Sequence, residues 1–268
     1  MRVGLLGCGT IGSFVLEAAA RGQTGDARVV AVAGRPSSAG RATAERHGLP
    51  YVDPGSLPGH DVAVIVEAAS HDAVRAYVPG YLQQGIDVIT ISGGVLADDT
   101  LAAALMTAAK AGGARLYVPS GAIAGLDGIK ALSLGSAEVT ITSSKPPAAW
   151  KGIPYVEQLG IDLEHLKEPV VLYEGEARRA VALFPQNVNV AAALSLAGVG
   201  FDRTKSRVIA DPRVRMNIHE ITATGPQGTI LVRVENVPTP TNPRTGYLAC
   251  LSVVAMLRQL ASPLWVGG

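Results

Sequence analysis

The chain passes at once from an apolar strand, Val3–Leu6, into Gly7-Cys8-Gly9-Thr10-Ile11-Gly12, and that turn constrains the fold more than any other segment. A Gly-x-Gly-x-x-Gly match alone carries little weight, because glycine-rich turns are common. Its context carries more. It follows a strand, opens an amphipathic helix over Ile11–Ala20, and a second strand, Arg28–Ala33, comes at the spacing of a βαβ unit. In such a unit Gly7 permits the tight turn, Gly9 lets the backbone approach a pyrophosphate, and Gly12 allows helix and strand to pack closely. The helix start, with Thr10 and Ile11, offers unpaired N–H groups and a positive dipole end to phosphate. The segment therefore predicts a bound nicotinamide dinucleotide, with Gly7, Gly9, Thr10, Ile11 and Gly12 around it.

NAD-binding units commonly place an acidic residue at the end of the second strand, where it holds the ribose 2′-hydroxyl. Here that strand ends Ala33-Gly34-Arg35-Pro36-Ser37-Ser38. An arginine and two hydroxyls suit a 2′-phosphate better, so the expected cofactor is NAD or NADP, with Arg35 as the discriminating contact.

The rest of the first half continues the alternation. Val62–Val66 and Val88–Ile91 read as short apolar strands, and Arg115–Val118 as another. Helices are expected over Ala39–His47, Ala73–Gln84 (kinked or interrupted at Pro79-Gly80) and Leu101–Ala111 behind an Asp98-Asp99-Thr100 cap. Two-sided apolar strands separated by helices imply a parallel sheet covered on both faces. After Pro119 the pattern changes. Ala137–Ser143, Ile218–Thr224 and Thr229–Val234 alternate, with Gly225-Pro226-Gln227-Gly228 as a turn, and Val190–Ala197 is helical. The expected architecture is α/β: an N-terminal Rossmann-type doubly wound parallel sheet plus a smaller α+β domain with a mostly antiparallel sheet. Residues 1–119 form the dinucleotide-binding domain, completed by a C-terminal helical segment in 242–268. Residues 120–241 form the substrate, catalytic and dimerisation domain.

Composition removes several function classes. A formal charge of +1 and 4% aromatics suit neither a phosphate-backbone track nor a base-stacking surface. No apolar stretch reads as a membrane span or a cleaved signal, so a cytoplasmic protein without nucleic-acid or membrane partners is expected. The two cysteines, Cys8 in the glycine turn and Cys250 in an apolar helix, are poorly placed for a thioacyl intermediate. The Glu-Lys-Pro tripeptide of some sugar oxidoreductases is replaced by Ile91-Ser92-Gly93-Gly94, and no Cys/His set suggests a metal.

Acid–base candidates come from five histidines. His47, His60 and His165 read as solvated surface residues. His71 follows an apolar strand and would lie near the cofactor crevice, where helix capping by Ser70 or His71 explains it equally well. His219 belongs to Asn217-Ile218-His219-Glu220-Ile221, whose alternation puts Asn217 and His219 on one face of an extended strand. An imidazole there could move a proton near neutral pH, or be an ordinary half-buried histidine. Asn187 and Asn189 precede or open the helix after residue 189, as caps or as contacts for an amide or carboxylate. The small residues of Ser120-Gly121-Ala122-Ile123-Ala124-Gly125 allow either ligand approach or close packing.

Taken in order, several segments resemble the L-aspartate dehydrogenase family over nearly the whole chain. They are Gly7–Gly12, Ser120–Asp127, Lys145-Pro146-Pro147-Ala148-Ala149-Trp150, Asn187–Gly198, Ile209-Ala210-Asp211-Pro212 and Asn217-Ile218-His219. The resemblance implies oxidative deamination of L-aspartate to 2-iminosuccinate, which water converts to oxaloacetate and ammonia. The imine can also feed NAD biosynthesis. It further implies that His219 is catalytic, that Ala122 and Asn189 contact the cofactor, and that the protein is a homodimer. The two substrate carboxylates need cationic or N–H partners. Lys145 and Asn187 are candidates, a surface position being the alternative for Lys145. Other readings are another amino-acid dehydrogenase or imine reductase on the same scaffold, and a non-enzymatic dinucleotide sensor.

Overall fold

A computed structural model describes residues 1–36, 39–185, 189–240 and 242–267. The chain divides into two compact units, one of Met1–Pro119 with Cys250–Val266 and one centred on Ser120–Ala249.

In the first unit the elements run β1 (Arg2–Leu6), α1 (Thr10–Ala20), β2 (Arg28–Ala33), α2 (Gly40–Arg46), β3 (Tyr51–Val52), β4 (Val64–Glu67), α3 (His71–Gln83), β5 (Asp87–Thr90), α4 (Asp99–Gly112) and β6 (Leu116–Tyr117). All strand pairs are parallel, and the order is β3-β2-β1-β4-β5-β6. The strand order reverses between β1 and β4, which is where such sheets open a crevice at their carboxyl ends. The apolar strands are buried as expected for a sheet covered on both faces: Val3, Leu5, Val64, Val66 and Ile89 join Val15, Leu16 and Ala18 of α1 in one core cluster.

The caps follow the sequence. Asp98 accepts from the Leu101 N–H at 3.2 Å, and Gly113 closes α4 at φ +67. Of the kink or interruption expected at Pro79-Gly80, the interruption does not occur, since α3 runs through both residues. Val74 and Val78 before the break, and Tyr81 and Leu82 after it, are all buried. A proline costs a helix interior roughly 3 kcal/mol. Burying four large side chains at about 1.5–3 kcal/mol each exceeds that.

The second unit holds α5 (Leu126–Leu132), β7 (Glu138–Lys145), α6 (Pro154–Gln158), β8 (Val170–Glu176), α7 (Ala177–Leu183), α8 (Asn189–Ala197), β9 (Thr204–Ala210), β10 (Asn217–Gly225), β11 (Gly228–Asn236), β12 (Pro238–Thr239) and β13 (Asn242–Gly246). Its sheet is ordered β11-β10-β7-β9-β8. The β10–β11, β7–β10 and β8–β9 pairs are antiparallel, whereas β7 and β9 are parallel, so the sheet is mostly antiparallel, as expected, with one parallel pair. One face is covered by α5, α7 and α8, which bury Ile129, Ala180, Val181, Ala191 and Leu194 near Val139, Ile141, Val208 and Ile221. Residues 242–246 are a strand paired with β12, so the chain rejoins the first unit at Cys250 rather than at residue 242. It does so within α9 (Tyr247–Leu260), whose Val253, Val254 and Leu257 complete the first unit's core.

Candidate active site

The glycine turn is built to closed-packed tolerances on one side and left open on the other. Gly7 adopts φ +91, and a Cβ there would come within 2.7 Å of the Ala68 carbonyl oxygen and the Ala69 Cβ. A Cβ on Gly12 would sit 2.2 Å from the Gly7 carbonyl oxygen. On Gly9, by contrast, it would meet nothing within 4 Å. The two outer glycines therefore serve the protein's own packing, and the middle one clears space for a ligand. No side chain caps the start of α1, where Gly9 is the N-cap, followed by Thr10 and Ile11, both half-buried. This cradle fits a pyrophosphate. Arg35 is exposed just beyond β2, its carbonyl accepting a 2.9 Å hydrogen bond from the Tyr51 hydroxyl. Ser37 and Ser38 lie outside the described residues.

Cys8 is half-buried in this turn, 3.5 Å from the Ser13 hydroxyl, and burial raises its thiol above the ordinary range. Burial likewise pushes the Cys250 thiol up to about 11. Both environments disfavour the thiolate that nucleophilic catalysis needs. Of the remaining histidines, His165 is exposed and bound to Asp162 at 2.7 Å, while His71 opens α3 behind Ser70, whose hydroxyl accepts from the Ala73 N–H.

In the second unit, pairing of β7 with β10 sets His219 opposite Ser143. Alternation then carries Asn217 and Lys145 to the same face, one step nearer the end of the sheet. On β11, Asn236 pairs with Asn217. The covered face is thus apolar through Val139, Ala223, Ile141 and Ile221 and turns polar at one end, where Asn217, His219 and Lys145 are each only 2% exposed. Lys145 is no surface lysine. The prolines after it explain its setting: Pro146 and Pro147 end β7 and start a short 3-10 turn that returns Trp150 beneath the ammonium, with Nζ 5.2 Å from the ring centroid. Trp150 is fully buried, held by its indole N–H donating to the Ile209 carbonyl at 3.1 Å and edge-on to Phe184.

Two basic side chains are thus buried at the same sheet end. Burial, reinforced by the positive charge of Arg244, pushes the Lys145 ammonium down to about 8. Burial, reinforced by Lys145, pushes His219 down to about 3. His219 is a neutral imidazole at physiological pH beside a lysine that still carries most of its charge. The Ser143 hydroxyl and His219 Nδ1 lie 2.9 Å apart. In the tautomer where Nδ1–H donates to Ser143, Nε2 keeps the lone pair that a base needs.

Ala122 is half-buried in the 120–125 turn, and its carbonyl accepts a 3.0 Å hydrogen bond from Asn236 Nδ2. The same amide lies 3.4 Å from the Asn217 carbonyl oxygen. Asn189 is half-buried as the first residue of α8, and Asn187 lies outside the described residues. The structure therefore gathers His219, Lys145, Ser143, Asn217 and Asn236 on one sheet end, the last linked to Ala122. Sequence reasoning missed Ser143, Asn236 and Arg244. Only Ser143 carried a signal, as a polar residue at an inward step of an alternating strand.

A family model described as aspartate dehydrogenase, C-terminal, matches residues 127–260, and one described as homoserine dehydrogenase, NAD binding domain, matches residues 7–119. The chain is 43% identical to an L-aspartate dehydrogenase of Methanosarcina barkeri, covering 100% of this chain and 99% of the relative. It is 44% identical to one from Methanococcoides burtonii over the same shares. Among solved structures, aspartate dehydrogenase from Thermotoga maritima superposes with a TM-score of 0.77 at 29% identity, covering 100% and 99% of the two chains. A hyperthermophilic archaeal homoserine dehydrogenase in complex with NADPH shares the fold, with a TM-score of 0.57 at 13% identity over 99% of each chain. With both units matched and the likeness running end to end, the chain belongs to the L-aspartate dehydrogenase family.

Proposed function

We propose that the protein is an NAD(P)-dependent L-aspartate dehydrogenase, converting L-aspartate, water and NAD(P)+ to oxaloacetate, ammonia, NAD(P)H and a proton by way of 2-iminosuccinate. The observation that carries this reading is the buried pair of Lys145 and neutral His219 on adjoining strands. The buried Lys145 ammonium and the positive charge of Arg244 that acts on it suit a dianion, which both cations attract and whose charge in turn restores basicity to His219.

Bound through Gly7, Gly9, Thr10, Ile11 and Gly12, the dinucleotide supplies the hydride acceptor. The protein's own residues manage charge and protons. Lys145 holds a substrate carboxylate, with Asn187 as a further partner. His219 takes a proton from the substrate ammonium, leaving the neutral amine whose lone pair drives the Cα–H bond to break as hydride. After that proton passes to solvent, the neutral imidazole deprotonates the water that adds to the imine carbon and returns the proton to the carbinolamine nitrogen, which leaves as ammonia to give oxaloacetate. Ser143 keeps the ring in the tautomer this requires. Ala122 and Asn189 contact the cofactor, with Asn236 fixing Ala122 from behind. Arg35 meets the adenosine ribose and favours a 2′-phosphate. A homodimer working in the cytoplasm accords with the family resemblance. Among the described residues, no helix is long and apolar enough to cross a membrane.

The test is aspartate-dependent reduction of NAD and NADP side by side, followed by reduced-nicotinamide absorbance, with a panel of other amino acids. Turnover of aspartate above the panel supports the reading. Binding of NAD(P)H with no turnover of any substrate would establish a sensor instead, and preference for another amino acid would reassign the substrate.

A further inference from the structure

Strand β4 reads Val64-Ile65-Val66-Glu67, three apolar residues and then a glutamate that is 0% exposed. Its carboxylate is saturated. Oε1 accepts from the Ala69 N–H at 2.8 Å, the Ser70 N–H at 3.0 Å and the Ser92 hydroxyl at 3.0 Å. Oε2 accepts from the Thr90 hydroxyl at 2.7 Å and the Ser92 N–H at 3.2 Å. No lysine, arginine or histidine among the described residues forms a salt bridge with it. A buried anion without a counter-ion is costly, and an apolar side chain would serve the sheet more cheaply. What it gains is geometric. Two of the five donors lie on the segment that leaves β4, and the other three on the last residue of β5 and the segment that follows it, beside the point where strand order reverses. The segment after β4 is the one on which the glycine turn rests, with the Ala68 oxygen 2.7 Å from where a Gly7 Cβ would be.

We propose that Glu67 is a positioning residue for the dinucleotide: its carboxylate ties the segment after β4 to the segment after β5 and so fixes the wall against which the Gly7–Gly12 turn is set. This rests on the dinucleotide-binding reading above. The role needs a carboxylate and not merely a polar group of that shape. In Glu67→Gln the amide NH2 must face backbone N–H groups in either orientation, those of Ala69 and Ser70 in one and that of Ser92 in the other. Hydroxyls can turn to accept; backbone N–H groups cannot.

The experiment titrates NADH and NADPH into parent and Glu67→Gln protein by nicotinamide fluorescence, with thermal melting of the unliganded proteins and steady-state kinetics alongside. Leaving one or two buried donors unmet predicts a dissociation constant raised about fivefold to a hundredfold, with the KM for NAD(P)+ rising in parallel. The KM for aspartate and the kcat at saturating cofactor should stay within about threefold. Cofactor affinity within twofold of the parent, whatever the melting temperature does, overturns the proposal, as does a loss confined to kcat. Should Glu67→Gln fail to fold, Ser92→Ala removes one side-chain donor and should weaken NADH binding about two- to fivefold. Unchanged affinity there also overturns it. A parent protein that binds neither NADH nor NADPH would instead sink the dinucleotide reading itself, and the role of Glu67 with it.

Discussion

Replacing Lys145 by methionine should make the protein more stable and less active. The side chain is 2% exposed, and its pKa falls from 10.5 to about 8. That shift corresponds to roughly 3 kcal/mol by which folding disfavours the charged form. The sign follows from proton counting. Below about pH 8 the ammonium is charged in folded and unfolded chains alike, and its burial cost is present in full. Between about 8 and 10.5 the unfolded chain holds a proton that the folded one has released, so stability rises with pH. Methionine fills a similar volume over Trp150 without charge. Lys145→Met should therefore gain up to roughly 3 kcal/mol at pH 7 and lose the parent's rise in stability toward alkaline pH. Function should move the other way. Losing a hydrogen bond to a charged group at about 1.5–3 kcal/mol predicts a KM for aspartate raised about tenfold to 150-fold. Urea unfolding at pH 7 and 9.5, paired with aspartate saturation curves, measures both. A variant whose KM for aspartate stays within twofold of the parent would refute the carboxylate assignment. One clearly less stable at pH 7 would refute the claim that burial of this charge is a cost.

His219→Ala should lower kcat/KM for aspartate by about two to four decades, as loss of a general base does, while NADH binding measured by fluorescence stays within about twofold. Arg35→Ala should raise the KM for NADP about tenfold or more and change that for NAD little, read from parallel steady-state kinetics; a strong NAD preference untouched by the substitution would remove Arg35 from cofactor choice. Gly12→Ala places a methyl 2.2 Å from the Gly7 carbonyl oxygen. It should abolish measurable NADH binding and lower the melting temperature by several degrees, since overpacking of this kind costs about 1–3 kcal/mol.

Where local chemistry and tertiary demand agree, the sequence was explicit. The residues of β2 after Arg28 are all apolar, with Val32 in the core cluster that α1 and α9 share, and the 225–228 turn carries two glycines and a proline between alternating strands. Thr204–Ala210 also alternates, with Lys205 and Arg207 outward, yet its Ser206 and Thr204 on the buried side blur the signal. Pro79 does not interrupt α3 because helix propensity is a local quantity, and four buried side chains around it are not. The site was legible where function forces an unusual residue into a patterned strand, as with His219. Lys145 was ambiguous because nothing local tells a buried lysine from a solvated one. What buries it is Trp150, five residues on and returned by a turn. Glu67 stood at the end of an apolar strand in plain view, but its donors come from the carboxyl ends of β4 and β5 and the segments beyond them, which only the sheet brings together.

Completion of the first unit by α9 sets an order on biosynthesis. Val253, Val254 and Leu257 belong to the same core as Val3, Leu5 and Val64, yet the 130 residues from Ser120 to Ala249 are translated between them. At about 5–20 residues per second the nascent N-terminal unit waits roughly 7–25 s for its last helix. Throughout that interval its core lacks one wall, and a chain stalled or truncated before Cys250 should be a substrate for chaperones and proteases. The intervening unit, whose sheet and helices lie wholly within its own segment, can finish folding first. The nucleotide fold, though most of it is translated before the intervening unit, thus matures after it.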